Sequence, residues 1–114
     1  MSDIITLKEN RDFHRLYRKG KSFISPVLVT YILKNKSDNL RYGITTGKKI
    51  GNAVRRSRAR RIIRAAFREC APNLKNGYDI VFVARGKTPF LKSTQIKEAM
   101  EYHFKQAQIY KDKV

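Results

Sequence analysis

Ala59, Ile62, Ile63, Ala66, Phe67 and Cys70 fall at the i, i+3, i+4, i+7, i+8 and i+11 positions of one helical stripe. That stripe lies inside residues 48–69, KKIGNAVRRSRARRIIRAAFRE, where nine Lys/Arg stand against a single acid, Glu69, in 22 residues. A helix so patterned must bury one face against other elements and leave a nearly uniform positive charge on the other. At about 100° per residue, Ser57, Arg60, Arg61, Arg64 and Arg68 gather opposite the apolar stripe, with Arg58 on its flank. Asn52 is placed to cap the helix, while Arg55 and Arg56 fit neither face. From Arg56 to Arg68 the rise of about 1.5 Å per residue gives roughly 18 Å, comparable to several phosphate spacings. Arg outnumbers Lys seven to two in the window. The planar guanidinium fork grips phosphate bidentately and stacks on bases, at lower desolvation cost than an ammonium. The pattern points to a nucleic-acid backbone as the partner of this helix.

The other segments supply something for the stripe to pack on. Residues 1–8 read as a short flexible lead. Phe13, Leu16 and Tyr17 give a one-stripe helix over 10–19, with Asn10 (or Thr6) as N-cap and Gly20 as the C′ stop. Residues 21–34, KSFISPVLVTYILK, are β-branched and aromatic, with Pro26 marking an edge or bend. NKSDN at 35–39 is a turn by composition, and 40–47 a second strand, so a hairpin is expected to join the two. YDIVFVA at 78–84 is apolar on both faces and reads as a buried central strand. A loop with Gly86 and Pro89 follows at 85–92. A last helix at about 93–109 carries Ile96, Ala99, Met100, His103 and Ala107 on one stripe, with Phe104 beside them. The order α-β-β-α-β-α suggests a sheet layer covered by helices. If the last strand lies parallel to the one before it, the basic helix is a crossover.

At 114 residues, with 41% hydrophobic residues, the chain suits one domain with a single core and is too apolar for a disordered basic tail. Its net charge of +17 exceeds the +8 of the basic window, as expected of a protein embedded in a polyanion. No apolar run approaches the ~20 residues of a membrane span, and no signal peptide is evident. Cys70 is the one cysteine, which excludes an internal disulfide and fits a reducing cytoplasm.

Nothing in the chain organises a reaction. His14 and His103 are the only histidines, neither with an acid at metal-ligand spacing. His103 falls on an apolar stripe, His14 on the outer face of the first helix. Glu98 and Glu101 read as solvated charge on a Lys-rich helix, and Cys70 as a packed thiol. Phe13, Tyr17 and Tyr31 have two uses open to them. They can pack a core, or they can stack on unpaired bases in a cleft between first helix and sheet, fringed by Arg15, Arg18, Lys19 and Lys21.

Taken together, NRDFHRLYRKGKS, RYGITTGKKIGNAV, RRSRARRIIRAAFRE and GYDIVFVARG resemble the protein subunits of bacterial ribonuclease P over about residues 7–110. The basic motif is specific: a Gly-x-Ala-Val lead, an Arg-x-Arg centre, a basic pair two residues on, and an Arg-x-x-Phe-x-Glu tail. Ser57 stands where that family usually has Asn between the central arginines; it keeps a donor and acceptor but is shorter and lacks the amide. The resemblance implies a single α+β domain, an α/β sandwich similar to domain 2 of ribosomal protein S5. That fold has a mostly antiparallel sheet, a left-handed β-α-β crossover and the order α-β-β-(β)-α-β-α. It also implies an endoribonuclease subunit for tRNA 5′ maturation, whose catalytic RNA supplies the active site and binds the Mg²⁺ ions. The protein itself is expected to hold no catalytic residue, no metal and no small-molecule cofactor. Lys48, Lys49, Arg56, Ser57, Arg58, Arg60, Arg61, Arg64 and Arg68 would meet the catalytic RNA. Phe13, Tyr17 and Tyr31 would meet the single-stranded 5′ leader of precursor tRNA. A structural rRNA-binding protein of the same fold is the alternative this composition permits, and a protein that cleaves RNA unaided is a further one.

Overall fold

A computed structural model describes residues 4–112. Its elements, in chain order, are β1 (Ile4–Thr6), α1 (Asn10–Lys19), β2 (Lys21–Ile24), β3 (Leu28–Lys34), β4 (Leu40–Thr45), α2 (Ala53–Cys70), β5 (Tyr78–Ala84) and α3 (Ser93–Ala107). Short 3₁₀ turns occupy Lys48–Ile50, Ala71–Asn73 and Thr88–Phe90. The five strands form one sheet in the order β1-β4-β5-β3-β2. The sheet is mixed: β2, β3 and β5 pair antiparallel, whereas β1, β4 and β5 pair parallel.

The expected hairpin between β3 and β4 does not form. β5 lies between them, antiparallel to β3 and parallel to β4. Its burial explains the insertion: Asp79 to Phe82 are all buried, so this strand needs cover on both faces and partners on both edges. The central position satisfies both needs. The 35–39 turn therefore straddles the entry to β5. Asn35 N–H donates to the Gly77 carbonyl at 2.8 Å, and Gly77 N–H to the Asn39 carbonyl at 3.1 Å. With β4 and β5 adjacent and parallel, α2 is the crossover.

The lead, read as flexible over 1–8, differs from residue 4 onward, residues 1–3 lying outside the described residues. Ile4–Thr6 pairs with Leu40, Arg41 and Tyr42 at the sheet edge, and Leu7 is only 5% exposed. Three exposed residues give too short an alternation to mark a strand; the parallel edge of β4 supplies the template. Helix α1 is capped at Glu9 rather than Asn10 or Thr6, without a side-chain hydrogen bond. Gly20 ends it in an extended conformation, φ −72° and ψ 154°. The left-handed turn expected of a C′ glycine is absent. Glycine is needed there for room, because a Cβ would lie 2.6 Å from the Leu16 carbonyl oxygen.

Strand alternation divides the interior into two clusters. Ile80, Phe82 and Ala84 of β5 join Leu28 and Ile32 of β3 beneath Ile63, Ala66 and Phe67 of α2 and Ile96, Met100 and Phe104 of α3. On the other face Val81 meets Leu7 and Leu16, with Phe13, Tyr31, Leu33 and Val83 packed around them. Phe67, Phe82 and Phe104 meet pairwise at centroid distances of 5.2–6.3 Å, fixing α2 and α3 on the same side of the sheet.

His103 is a core residue, 1% exposed, with Nδ1 2.8 Å from Thr30 Oγ1 and no hydrogen-bond partner at Nε2 among the described residues. Burial pushes its pKa below the ordinary 6.5. The unfolded chain accepts that proton at the ordinary value while the folded chain resists it. Stability is therefore full above about pH 6.5 and falls below it, by up to roughly 1.4 kcal/mol per pH unit. Urea unfolding should show this loss between neutral pH and about pH 5, and His103→Gln should flatten it; equal slopes in the two proteins would contradict the assignment.

Candidate nucleic-acid interface

Asn52 caps α2 as its sequence position suggested, its Oδ1 accepting from Arg55 N–H at 3.0 Å. Ala59, Ile63, Ala66, Phe67 and Cys70 are buried, with Ile62 half-buried beside them. Burial holds the Cys70 thiol up at about 11, the state of an unreactive packed thiol. That anchored stripe fixes the rotation of the helix, and the rotation exposes Ser57, Arg58, Arg61, Arg64 and Arg68. Lys48 and Lys49 are exposed in the turn leading into it.

The two arginines that fitted neither face are resolved by geometry. Arg55 is exposed and carries its guanidinium 5.2 Å from the Phe90 ring centroid. Arg56 is half-buried at the edge of the stripe. Arg60, also half-buried, donates from Nη1 to Thr46 Oγ1 at 2.6 Å, which directs it toward the β4 side. Arg64 and Arg68 lie on that side too, in a cleft of about 210 Å³ shared with Ile4, Thr6 and Tyr42. Arg58 and Arg61 face the opposite flank, toward the 88–94 segment. The cations thus cover the outer half-cylinder of the helix.

Among the described residues, no arginine of α2 is ion-paired. The acid of the window, Glu69, reaches Lys97 of α3 at 4.0 Å instead. Guanidinium groups so arranged repel one another, and an external polyanion relieves that repulsion.

The opposite sheet face presents a second, aromatic surface. Five strands span roughly 24 Å at about 4.8 Å each, and one helix of about 10 Å diameter cannot cover them. Beside α1, therefore, Val29, Tyr31 and Val83 stay half-exposed and Ile24 is 70% exposed. Tyr17 is 37% exposed; its ring meets Tyr31 edge to face at 5.1 Å, and its hydroxyl lies 2.6 Å from Thr45 Oγ1. Phe13 has a different position. It packs down on Gly43, where a Cβ would fall 2.5 Å from its ring, so Phe13 wedges α1 against the sheet while Tyr17 and Tyr31 face the opening. His14 is exposed on the outer side of α1.

Sequence reasoning missed the group that positions α1. Asp79 of β5 is fully buried. Arg41 binds it through two parallel hydrogen bonds of 2.7 and 2.6 Å, Arg15 of α1 donates at 2.7 Å, and Asn35 donates at 2.8 Å. Its hydrogen bonds to Asp79 raise the Arg41 pKa above its ordinary value. Arg15, expected to fringe the cleft, is thus engaged inside; Arg18, Lys19 and Lys21 remain exposed at its rim. A lone acid in an otherwise apolar strand was the available signal.

Among the described residues, no group of three His, Cys, Asp or Glu side chains could hold a metal ion. The buried carboxylate of Asp79 is already engaged by two guanidinium groups, an environment that repels a cation. No helix among these residues is long and apolar enough to cross a membrane.

The family model described as Ribonuclease P matches residues 1–108. The ribonuclease P protein component of Clostridioides difficile (strain 630) is 52% identical over 80 residues, covering 69% of this chain and 70% of that protein. That of Pelotomaculum thermopropionicum is 40% identical over 109 residues, covering 96% and 97%. Among solved structures, the RNase P protein of Staphylococcus aureus superposes with a TM-score of 0.81 at 34% identity, covering 93% of this chain and 97% of that one. The Thermotoga maritima RNase P protein gives 0.78 at 30% identity, covering 89% and 96%.

Proposed function

This chain belongs to the ribonuclease P protein family, and from that membership we propose that it works as the protein subunit of a ribonucleoprotein that removes the 5′ leader of precursor tRNA. The observation that carries the proposal is the outer face of α2, a band of arginines with no acidic partner among the described residues. In this reading Lys48, Lys49, Arg56, Ser57, Arg58, Arg60, Arg61, Arg64 and Arg68 meet the catalytic RNA. Tyr17 and Tyr31 offer ring faces to the single-stranded leader, and Phe13 supports them from beneath.

Hydrolysis belongs to the RNA, and so do the Mg²⁺ ions it requires. The protein's residues have an electrostatic and positional role. Two RNAs approaching one another raise the local phosphate density, and each guanidinium placed between them replaces condensed counterions. The cost of bringing substrate to catalytic RNA then depends less on dissolved salt and divalent ions. Stacking of unpaired bases on Tyr17 and Tyr31 would add affinity that tolerates sequence, because every base has a π-face. The leader would bind on the sheet face bearing α1 and the catalytic RNA on α2, so the one domain would hold both.

Reconstitution with a bacterial ribonuclease P RNA at limiting Mg²⁺ tests the proposal. Adding the protein should raise leader removal from precursor tRNA, and Tyr17→Ala should weaken binding of leader-bearing substrate by about 5- to 100-fold while sparing mature tRNA. No gain in cleavage would leave a structural RNA-binding protein as the better reading. Site-specific cleavage without any RNA subunit would place the chemistry in the protein and overturn the assignment. Phe13→Ala is the poorer probe, since opening the contact with Gly43 also loosens the fold.

A further inference from the structure

Phe90 is 63% exposed, yet its exposure does not come from a loose loop. The turn Thr88–Phe90 is anchored on both sides of the Thr88 hydroxyl, which donates to the Val27 carbonyl at 2.7 Å and accepts from Arg85 N–H at 2.8 Å. Thr88 and Pro89 are buried. A rigid turn thus holds an aromatic ring out into solvent beside the first turns of α2, where Arg55 sits over it at 5.2 Å.

Between this ring and α2 runs an open groove of about 830 Å³. Arg58 and Arg61 form one wall, Lys92 stands on the other, and the floor is Ile62 and Leu91. Ser93 and Thr94 also line it, and no acidic residue does. An apolar floor with an exposed ring suits a flat, weakly polar body, while three cations around it demand an anion. Charge disfavours a second copy of this chain as occupant, since each copy carries +17. A nucleotide combines both requirements, a base with a π-face and a phosphate. A paired nucleotide cannot present its face to a side chain; an unpaired one can.

We infer that the groove between α2 and the 88–94 segment receives one unpaired nucleotide of the RNA docked on α2, its base stacked on Phe90 and its phosphate held by Arg58, Arg61 and Lys92. This rests on the reading of α2 as an RNA-binding helix and adds a discriminating element to it. The arginines alone bind any backbone; the ring distinguishes RNA with an extruded base from a continuous duplex. Arg55, held over the ring, would keep Phe90 oriented and, by cation–π attraction, polarise the stack.

The test compares two RNA hairpins of equal length and charge, one fully paired and one carrying a single bulged 2-aminopurine. Binding is measured at fixed salt by anisotropy, and stacking by quenching of the 2-aminopurine. The wild-type protein should prefer the bulged hairpin by about 5- to 100-fold and quench its fluorescence. Phe90→Ala should abolish the preference and the quenching while leaving affinity for the paired hairpin unchanged; Phe90→Tyr should retain both. The exposed ring makes these variants safe for folding, which circular dichroism would verify. A wild-type protein with no preference, a preference that survives in Phe90→Ala, or equal weakening of both hairpins would each overturn the inference. The low-Mg²⁺ cleavage assay is a separate readout: a protein that fails it but passes the hairpin test loses the proposed function and keeps the groove.

Discussion

Replacing Asp79 with Ala is expected to lower the unfolding free energy by about 3 kcal/mol and the melting temperature by roughly 10–15 °C for a domain of this size. The carboxylate is 0% exposed and shares its two oxygens among Arg15, Arg41 and Asn35. Its removal leaves two guanidinium groups that had shared one carboxylate oxygen close together with no anion between them. The pair Arg15 and Arg41 remains 39% and 26% exposed, so both can recover some hydration, which places the loss at the lower end of about 3–5 kcal/mol for a broken buried pair. Against a total stability of about 5–15 kcal/mol, the loss is large. Arg41→Ala alone should cost less, and in the Asp79→Ala background it should cost little or become favourable, because the repulsion it relieves is then the dominant local term. Denaturant unfolding of the four proteins in this cycle supplies the check; additivity of the two single effects would show that the ion pair does not exist in solution. Hydrogen exchange carries the consequence toward function. Arg15 is the charged tether of α1 to the sheet, so the amides of α1 should exchange faster in Asp79→Ala than those of α2. Tyr17 travels with them.

The parts of this molecule that could be read in the sequence are those whose cause is local. Helix α2 announces itself because burial of Ala59, Ile63, Ala66, Phe67 and Cys70 repeats at the helical period. Its exposed cationic face shows because charges of one sign crowd the opposite side. Strand β5 could be placed in the interior because both of its faces are apolar. What pairs with what is a different matter. Whether β3 meets β4 or β5 depends on which arrangement buries the most surface over the entire chain, and turn composition at 35–39 carries no information about a strand more than thirty residues later. The same limit hid β1, whose three residues find their partner 36 positions downstream. It also hid the Asp79 cluster, whose members are separated by 38, 44 and 64 positions. The aromatic trio was legible as a set but not in its division of labour. Only the close approach of Phe13 to Gly43 separates a ring that packs from rings that face the cleft.

The triple replacement of Arg61, Arg64 and Arg68 by Ala should reduce affinity for a ribonuclease P RNA by roughly 100-fold at physiological salt, and flatten the slope of log K against log salt by about 2–3. These three are the most suitable positions on α2 for the measurement. All are exposed and none is ion-paired among the described residues, so their removal takes nothing from the core and strands no buried charge. Arg60 is a poorer choice because its bond to Thr46 makes it part of the scaffold as well. The chain's overall charge of +17 creates a rival explanation: a general field, screened over about 8 Å, could bind RNA without specific contacts. A matched control separates the two. Lys36, Lys105 and Lys111 are exposed lysines outside α2, and their joint replacement by Ala removes the same charge. If the helix makes the contacts, the control keeps nearly all of the affinity and slope; if the field alone acts, the two triple variants behave alike. Direct contact also predicts that Arg→Lys at the three positions restores the slope but only part of the affinity, since lysine keeps the charge and loses the bidentate fork. Full restoration would mean that charge suffices, and the seven-to-two preference for Arg in this window would then need another cause.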